Sequence, residues 1–143
     1  MAEVIIRSIN ENLTQEITAG ENLEHRFLSD EPSVLGGKNQ GPTPYDLLLA
    51  ALGSCTAITL FMYAKRKNWK LSAVRIKLKH DRIHAKDCAD CESNNGFIHY
   101  IFRDIELEGS LDETQRQRLL VIAEHCPVHK TLMNEIIIRD SLI

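Results

Sequence analysis

Leu47–Ala64 reads LLLAALGSCTAITLFMYA, eighteen consecutive residues without a charge. A run of that length reaches what a bilayer crossing requires. It is interrupted by Gly53, Ser54, Cys55, Thr56 and Thr59, and it lies well inside the chain between amphipathic segments. It is therefore read as the buried axis of a soluble fold, where a helix can be apolar all round. Pro44 suits a first helical turn, because it lacks a donor that would be unpaired there. Lys65-Arg66-Lys67 puts cations at the negative end of the helix dipole. Gly53-Ser54 is expected to divide the run into two helices.

Upstream of this helix, Val4–Ile9, Leu13–Thr18 and Leu23–Leu28 are β-compatible runs separated by turn residues, Asn10-Glu11-Asn12 and Gly20-Glu21-Asn22. A Gly- and Pro-rich loop, SDEPSVLGGKNQGPTP, follows. Downstream, Leu71–Ile83 alternates, with Val74, Ile76 and Leu78 opposite Arg75, Lys77 and Lys79. Phe97–Leu107 is a second long strand with Ile101, Ile105 and Leu107 on one face. The two read as a hairpin closed by the loop HAKDCADCESNNG. Asp112 and Gln115 have capping-box spacing. Leu119, Ile122, Ala123 and Cys126 then share one helical face. Pro127 opens a short helix, PVHKTLMNE, and EIIIRDSLI is expected to close the chain as a strand. The order predicts an α+β fold with antiparallel sheets around a buried central helix, in a single domain over residues 1–143. The helix carries more apolar surface than this sheet covers, so a dimer is expected.

The chain has 143 residues, 43% hydrophobic and 26% charged, with a net charge of −3. That balance argues against a nucleic-acid binder working through a broad basic surface. The start, MAEVIIRSINEN, lacks the basic-then-apolar pattern of a secretory signal, so a cytoplasmic location is expected. In that compartment cysteines are more often catalytic or metal-binding than structural disulfides. Phosphate-loop, dinucleotide, GxSxG and HExxH motifs are absent from the sequence.

The chemistry therefore falls to the four cysteines. Cys55, in the most apolar segment, is either a small buried hydrophobe or, if Gly53-Ser54 starts a new helix, a thiolate favoured by that helix's first turn. Cys126 lies on a core face but precedes Pro127, so it takes the cap position of the next helix. His125 and His129 flank it and would add positive character. Cys88 and Cys91 form a CxxC. This is a redox dithiol, half a zinc site completed by His80, His84 or His99, or an accessory loop whose two thiols oxidise adventitiously. Spacing alone does not show that Cys55 and Cys126 meet.

GPTPYDLLLAALGSCTAITLFMYAKRKNW (residues 41–69) followed by IAEHCPVHKTL (residues 122–132) resembles the OsmC/Ohr family, the osmotically inducible and organic hydroperoxide resistance proteins. The order and spacing match from Gly36 to Leu142. Asp30–Pro32, Gly36-Gly37 and the DCADCE loop look like a particular OsmC-like branch. The resemblance implies an OsmC/Ohr-like fold in an intertwined homodimer, with active sites at the subunit interface. It also implies a peroxidatic Cys55, a resolving Cys126, and reduction of an organic hydroperoxide in oxidative-stress defence. Electrons would return from a dithiol such as a lipoyl group, and no haem, flavin or metal cofactor would be needed. Leu52, Ile58, Leu60 and Phe61 around Cys55 are expected to favour alkyl or lipid hydroperoxides.

The chain departs from the family pattern at one place. Where family members carry a glutamate after the proline equivalent to Pro44, Tyr45 stands here, with Asp46 one residue later. The arginine that the glutamate orients has no assigned equivalent; Arg26 and Arg7 are the candidates. Two other classes of function fit the same residues. One is a non-catalytic OsmC-like protein that binds a small apolar molecule. The other is a zinc-dependent regulatory module built on Cys88, Cys91 and His84.

Overall fold

The apolar run forms one uninterrupted helix, α1, over Pro44–Arg66 in the computed structural model, which describes residues 2–93 and 95–143. The expected break at Gly53-Ser54 does not occur. Gly53 is buried instead, and a Cβ added there would come within 2.8 Å of Leu78 Cδ1. The glycine serves close approach of helix to strand rather than a change of direction. Thr43 and Asp46 start the helix reciprocally. The Thr43 N–H and hydroxyl donate to Asp46 Oδ2 at 2.9 and 2.8 Å, and the Asp46 N–H donates to Thr43 Oγ1 at 3.2 Å. In the single chain α1 is buried along one face only, through Leu52, Thr56, Leu60, Tyr63 and Ala64. Ile58, Phe61 and Met62 on the other side are exposed. By length and composition alone α1 could also cross a membrane.

The chain divides into two compact units that meet in sequence at Leu48 and Leu49. In the first, β1 (Val4–Ser8), β2 (Gln15–Ala19) and β3 (His25–Ser29) form an antiparallel sheet in sequence order. Ile6 pairs with Ile17, and Ile17 with Phe27. The loop after β3 is tied down by the buried Asp30. Its carboxylate accepts from the Glu31, Lys38 and Gln40 N–H groups and the Thr14 hydroxyl, at 2.8 to 3.2 Å. Burial pushes this carboxyl up, but the four donors outweigh it and hold it below the ordinary aspartate value.

The second unit holds a long antiparallel hairpin of β4 (Lys70–His84) and β5 (Phe97–Ser110). Gly109, at φ 134°, faces the irregularity between Leu71 and Ala73, and a side chain there would strike the Lys70 carbonyl. Helix α2 (Glu113–Ala123) opens with the Asp112–Gln115 capping box, and the six-residue α3 (Pro127–Leu132) follows. Leu60, Tyr63 and Ala64 of α1 pack with Leu119, Ile122 and Ala123 of α2. Trp69, Leu71, Val74, Ile105, Leu107 and Leu111 close over this cluster. The helices thus supply the covered face that a lone two-stranded hairpin needs for stability.

The expected final strand is not formed. Among the described residues no strand follows Ser110, and Ile136, Ile137 and Ile138 are exposed. A strand exists through its ladder, and this segment has no ladder partner in the single chain. The remaining expectation, α+β with antiparallel sheets, is what the chain adopts.

Candidate functional site

Cys55 and Cys126, seventy-one positions apart in sequence, lie close enough in the second unit to shift each other's ionisation. The fold produces this meeting from two helices. Cys55 lies mid-helix on α1, one residue before the buried Thr56, rather than in the first turn of a new helix. Cys126 ends the turn after α2 and is the N-cap of α3, with Pro127 at the first helical position. In that position Cys126 Sγ accepts the His129 N–H at 3.3 Å. The Val128 N–H lies against both sulfurs. Cys126 is fully buried, whereas Cys55 keeps partial access to solvent.

The two thiols differ electrostatically, and in the opposite sense from the sequence expectation for Cys55. Burial pushes the Cys55 thiol up, and its own hydrogen bond to Cys126 adds to this. The Val128 N–H and the Thr59 hydroxyl offset only part of the rise. Burial also pushes Cys126 up, but it is outweighed by the His129 N–H, the Cys55 thiol, the Thr56 hydroxyl and the Val128 N–H, so Cys126 lies below the ordinary cysteine value. The two thiols therefore interact, and their protons leave in two steps that belong to the pair.

Sequence reasoning missed the cation of this site. Arg103 sits between Ile101 and Ile105 on the face of β5 that packs inward. Its guanidinium donates to Thr56 Oγ1 at 2.8 Å and to the Ala123 carbonyl at 3.3 Å. The Thr56 hydroxyl lies beside Cys126 and within 2.7 Å of the Leu52 carbonyl. The positive charge thus stands one hydroxyl away from the sulfur. The signal was present in the alternation: a charge interrupting the apolar face Ile101, Ile105, Leu107.

The other candidates are placed as follows. Arg7, Arg26, Tyr45 and Asp46 belong to the first unit, with Arg7 and Arg26 exposed and the Asp46 carboxylate engaged in capping α1. His129 does not add positive character: burial, the Arg103 charge and His125 hold it below the ordinary histidine value, against a weaker pull from Glu124. His125 Nδ1 lies 3.0 Å from the Val121 carbonyl. Leu52 and Leu60 are core residues, while Ile58 and Phe61 are exposed. Cys88 and Cys91 are joined in a disulfide, His84 packs at a tilt against Phe97, and His80 stacks on His99. Among the described residues no group of three or more His, Cys, Asp or Glu side chains is arranged to hold a metal ion.

Two neighbouring free thiols, one partly accessible and one buried against backbone donors, are an arrangement suited to thiol–disulfide chemistry. This geometry occurs in a fold found in other organisms. The OsmC-like protein of Mycoplasma pneumoniae superposes with a TM-score of 0.71 at 18% identity, covering 93% of this chain and 87% of that one. The organic hydroperoxide resistance protein OsmC of Legionella pneumophila gives 0.66 at 17% identity, with 92% and 88% covered. The organic hydroperoxide resistance protein OhrB of Bacillus subtilis gives 0.61 at 23% identity, with 92% and 89% covered. No curated protein matches the chain. The family model for OsmC-like proteins matches residues 37–139, nearly three quarters of the sequence, and the chain belongs to that family.

Proposed function

We propose that this protein reduces organic hydroperoxides through Cys55 and Cys126, in defence against peroxide stress in the cytoplasm. The observation that carries the reading is the nearness of two free thiols that shift each other's ionisation, one partly open to solvent and one buried. In the singly ionised pair the proton passes between the sulfurs, which makes the Cys55 thiolate available. That thiolate attacks the outer peroxide oxygen and becomes a sulfenic acid. The O–O bond breaks, and the alkoxide takes the proton held on Cys126 to leave as the alcohol, which frees the Cys126 thiolate. Cys126, held as thiolate, then attacks Cys55 Sγ, forming the disulfide and expelling hydroxide, which is protonated to water. One hydroperoxide and two thiols thus give one alcohol, one water and one disulfide. An external dithiol, such as a lipoyl group, restores both thiols by exchange.

Arg103 is the cation in this reading. Through the Thr56 hydroxyl it favours negative charge on Cys126, as fixed dipoles and charges do where charge develops. A homodimer is part of the proposal, supported by the exposed apolar side of α1 and the exposed isoleucines after α3. The test is consumption of cumene hydroperoxide with dihydrolipoamide as reductant. Turnover that survives Cys55→Ser removes the proposal.

One observation favours a second reading, a binding protein without turnover: burial makes Cys55 a poor thiolate on its own. Its sulfur would then be a packing group beside an apolar ligand. Stoichiometric addition of the hydroperoxide to reduced protein separates the two. Loss of two free thiols per chain supports the peroxidase, and no loss supports binding alone.

A further inference from the structure

The loop between β4 and β5 carries a feature the peroxide reaction does not use. Cys88 and Cys91 form a disulfide with Cα atoms 5.6 Å apart, spanning three positions of sequence. It follows a short 3-10 turn, Ala85–Asp87, which caps itself through the Cys88 N–H to the Ala85 carbonyl at 3.2 Å. The neck of the loop is closed independently of the sulfurs. Ala85 is buried, its N–H donates to the Gly96 carbonyl at 2.9 Å, and His84 pairs with Phe97 in the last rung of the ladder.

A disulfide stabilises chiefly by closing a loop, and the gain grows with the residues enclosed. This ring encloses almost nothing. It also joins no two elements, since β4 and β5 are already registered from Lys70–Ser110 to His84–Phe97. As a staple it is redundant. As a redox group it is well placed. Both cysteines are partly accessible, and Lys86, Asp87, Ala89, Asp90 and Glu92 around them are exposed. The hydrogen bond that closes the loop's neck, from the Ala85 N–H to the Gly96 carbonyl, does not involve the sulfurs.

The same hairpin sets its distance from the first thiol pair. Arg103, beside Thr56, pairs with Leu78, and the ladder runs six residues further to His84. At about 3.3 Å per residue that is roughly 20 Å, too far for direct exchange with Cys55 or Cys126 in the same chain.

We propose that Cys88–Cys91 is a second, separate thiol–disulfide exchange site, reduced by an external dithiol that is uncharged or cationic apart from its reacting thiolate. One thiolate of the dithiol attacks Cys88 or Cys91 sulfur and breaks the S–S bond, giving a mixed disulfide and one free cysteine thiolate. The second thiol of the reductant displaces the other cysteine. The reductant leaves as its disulfide, two electrons enter the loop, and two protons neutralise the cysteines. The preference for charge follows from three carboxylates, Asp87, Asp90 and Glu92, against the one lysine of the same stretch, Lys86. They repel an incoming thiolate, and repel it more if it carries a second negative charge. The proposal is independent of the peroxidase reading.

The test uses the Cys55→Ser/Cys126→Ser double variant, which leaves Cys88 and Cys91 as the only cysteines. Oxidised protein is exposed under native conditions to dithiothreitol or dihydrolipoate, alkylated, and weighed by mass spectrometry. The expected result is a reversible change from no labels to two, with unchanged far-ultraviolet dichroism. The rate with dihydrolipoate should rise with added salt more steeply than the rate with dithiothreitol. Asp87→Asn/Asp90→Asn/Glu92→Gln should remove that difference. Labels that appear only after denaturation, a reduction that does not reverse, or cysteines that never form the bond would each overturn the proposal. Peptide mapping of the same loop in the unsubstituted chain gives the same readout if the double variant folds poorly.

Discussion

Arg103 and Thr56, forty-seven residues apart, are joined by a 2.8 Å hydrogen bond from guanidinium to hydroxyl. The bond turns a strand arginine into part of the thiol site without direct contact to sulfur. Arg103→Met should therefore slow peroxide reduction roughly tenfold, less than the hundredfold or more that losing a direct donor costs. Arg103→Lys should recover part of the rate. Stopped-flow oxidation of the reduced protein measures both. An effect on folding alone would lower the amount of active protein but not its rate constant.

Cys55→Ser and Cys126→Ser should fail differently. The first should consume no hydroperoxide. The second should complete about one reduction per site and then accumulate sulfinic acid at Cys55, because no partner thiol condenses with the sulfenic acid. Intact-mass spectrometry after peroxide treatment distinguishes a disulfide, two mass units lighter than the dithiol by loss of about two hydrogens, from added oxygen.

The thiols should titrate in two separated steps. The first proton should leave below the ordinary cysteine value of about 8.5 and the second above it. Ultraviolet thiolate absorbance against pH reads both steps. A single transition with two-proton amplitude near the ordinary value would count against the coupled pair.

Asp30 sets an acid limit on the first unit. Its folded-state carboxyl titrates below the unfolded value, so its contribution to stability is complete above about 3.9 and is lost as pH falls through the lower folded value. Asp30→Asn should make urea midpoints less sensitive to pH across that acid range. It should also lower the midpoint at neutral pH, because four donors lose a charged acceptor.

Packing makes two further demands on the second unit. Leu119→Ala should cost about 2–5 kcal/mol, because Leu119 is fully buried in the helix cluster. Gly53→Val should cost about 1–3 kcal/mol through overpacking against Leu78. Chemical denaturation of the two variants measures these losses.

The elements whose signals are local were legible in the sequence. Alternation gave β4 and β5 within a few residues, the Asp112–Gln115 spacing gave the start of α2, and Pro127 gave the start of α3. The errors came where tertiary contact decides. Gly53 reads as a breaker by propensity, yet it is used for the close approach of Leu78. The segment at Ile136–Ile138 has strand composition but no ladder in this chain. Cys55 and Cys126 stood out in the sequence, but the backbone donors around Cys126 and the position of Arg103 beside Thr56 did not. Neither is visible until a strand has been laid across two helices.

Cys126 is at once a sulfur of the proposed redox pair and the side chain that starts helix α3. Any replacement there alters two things together. Alanine would strip the helix of its opening acceptor as well as removing the redox atom, so its phenotype would mix misfolding with lost chemistry. Serine retains an oxygen able to receive the His129 N–H, which makes it the substitution from which a chemical role can be read.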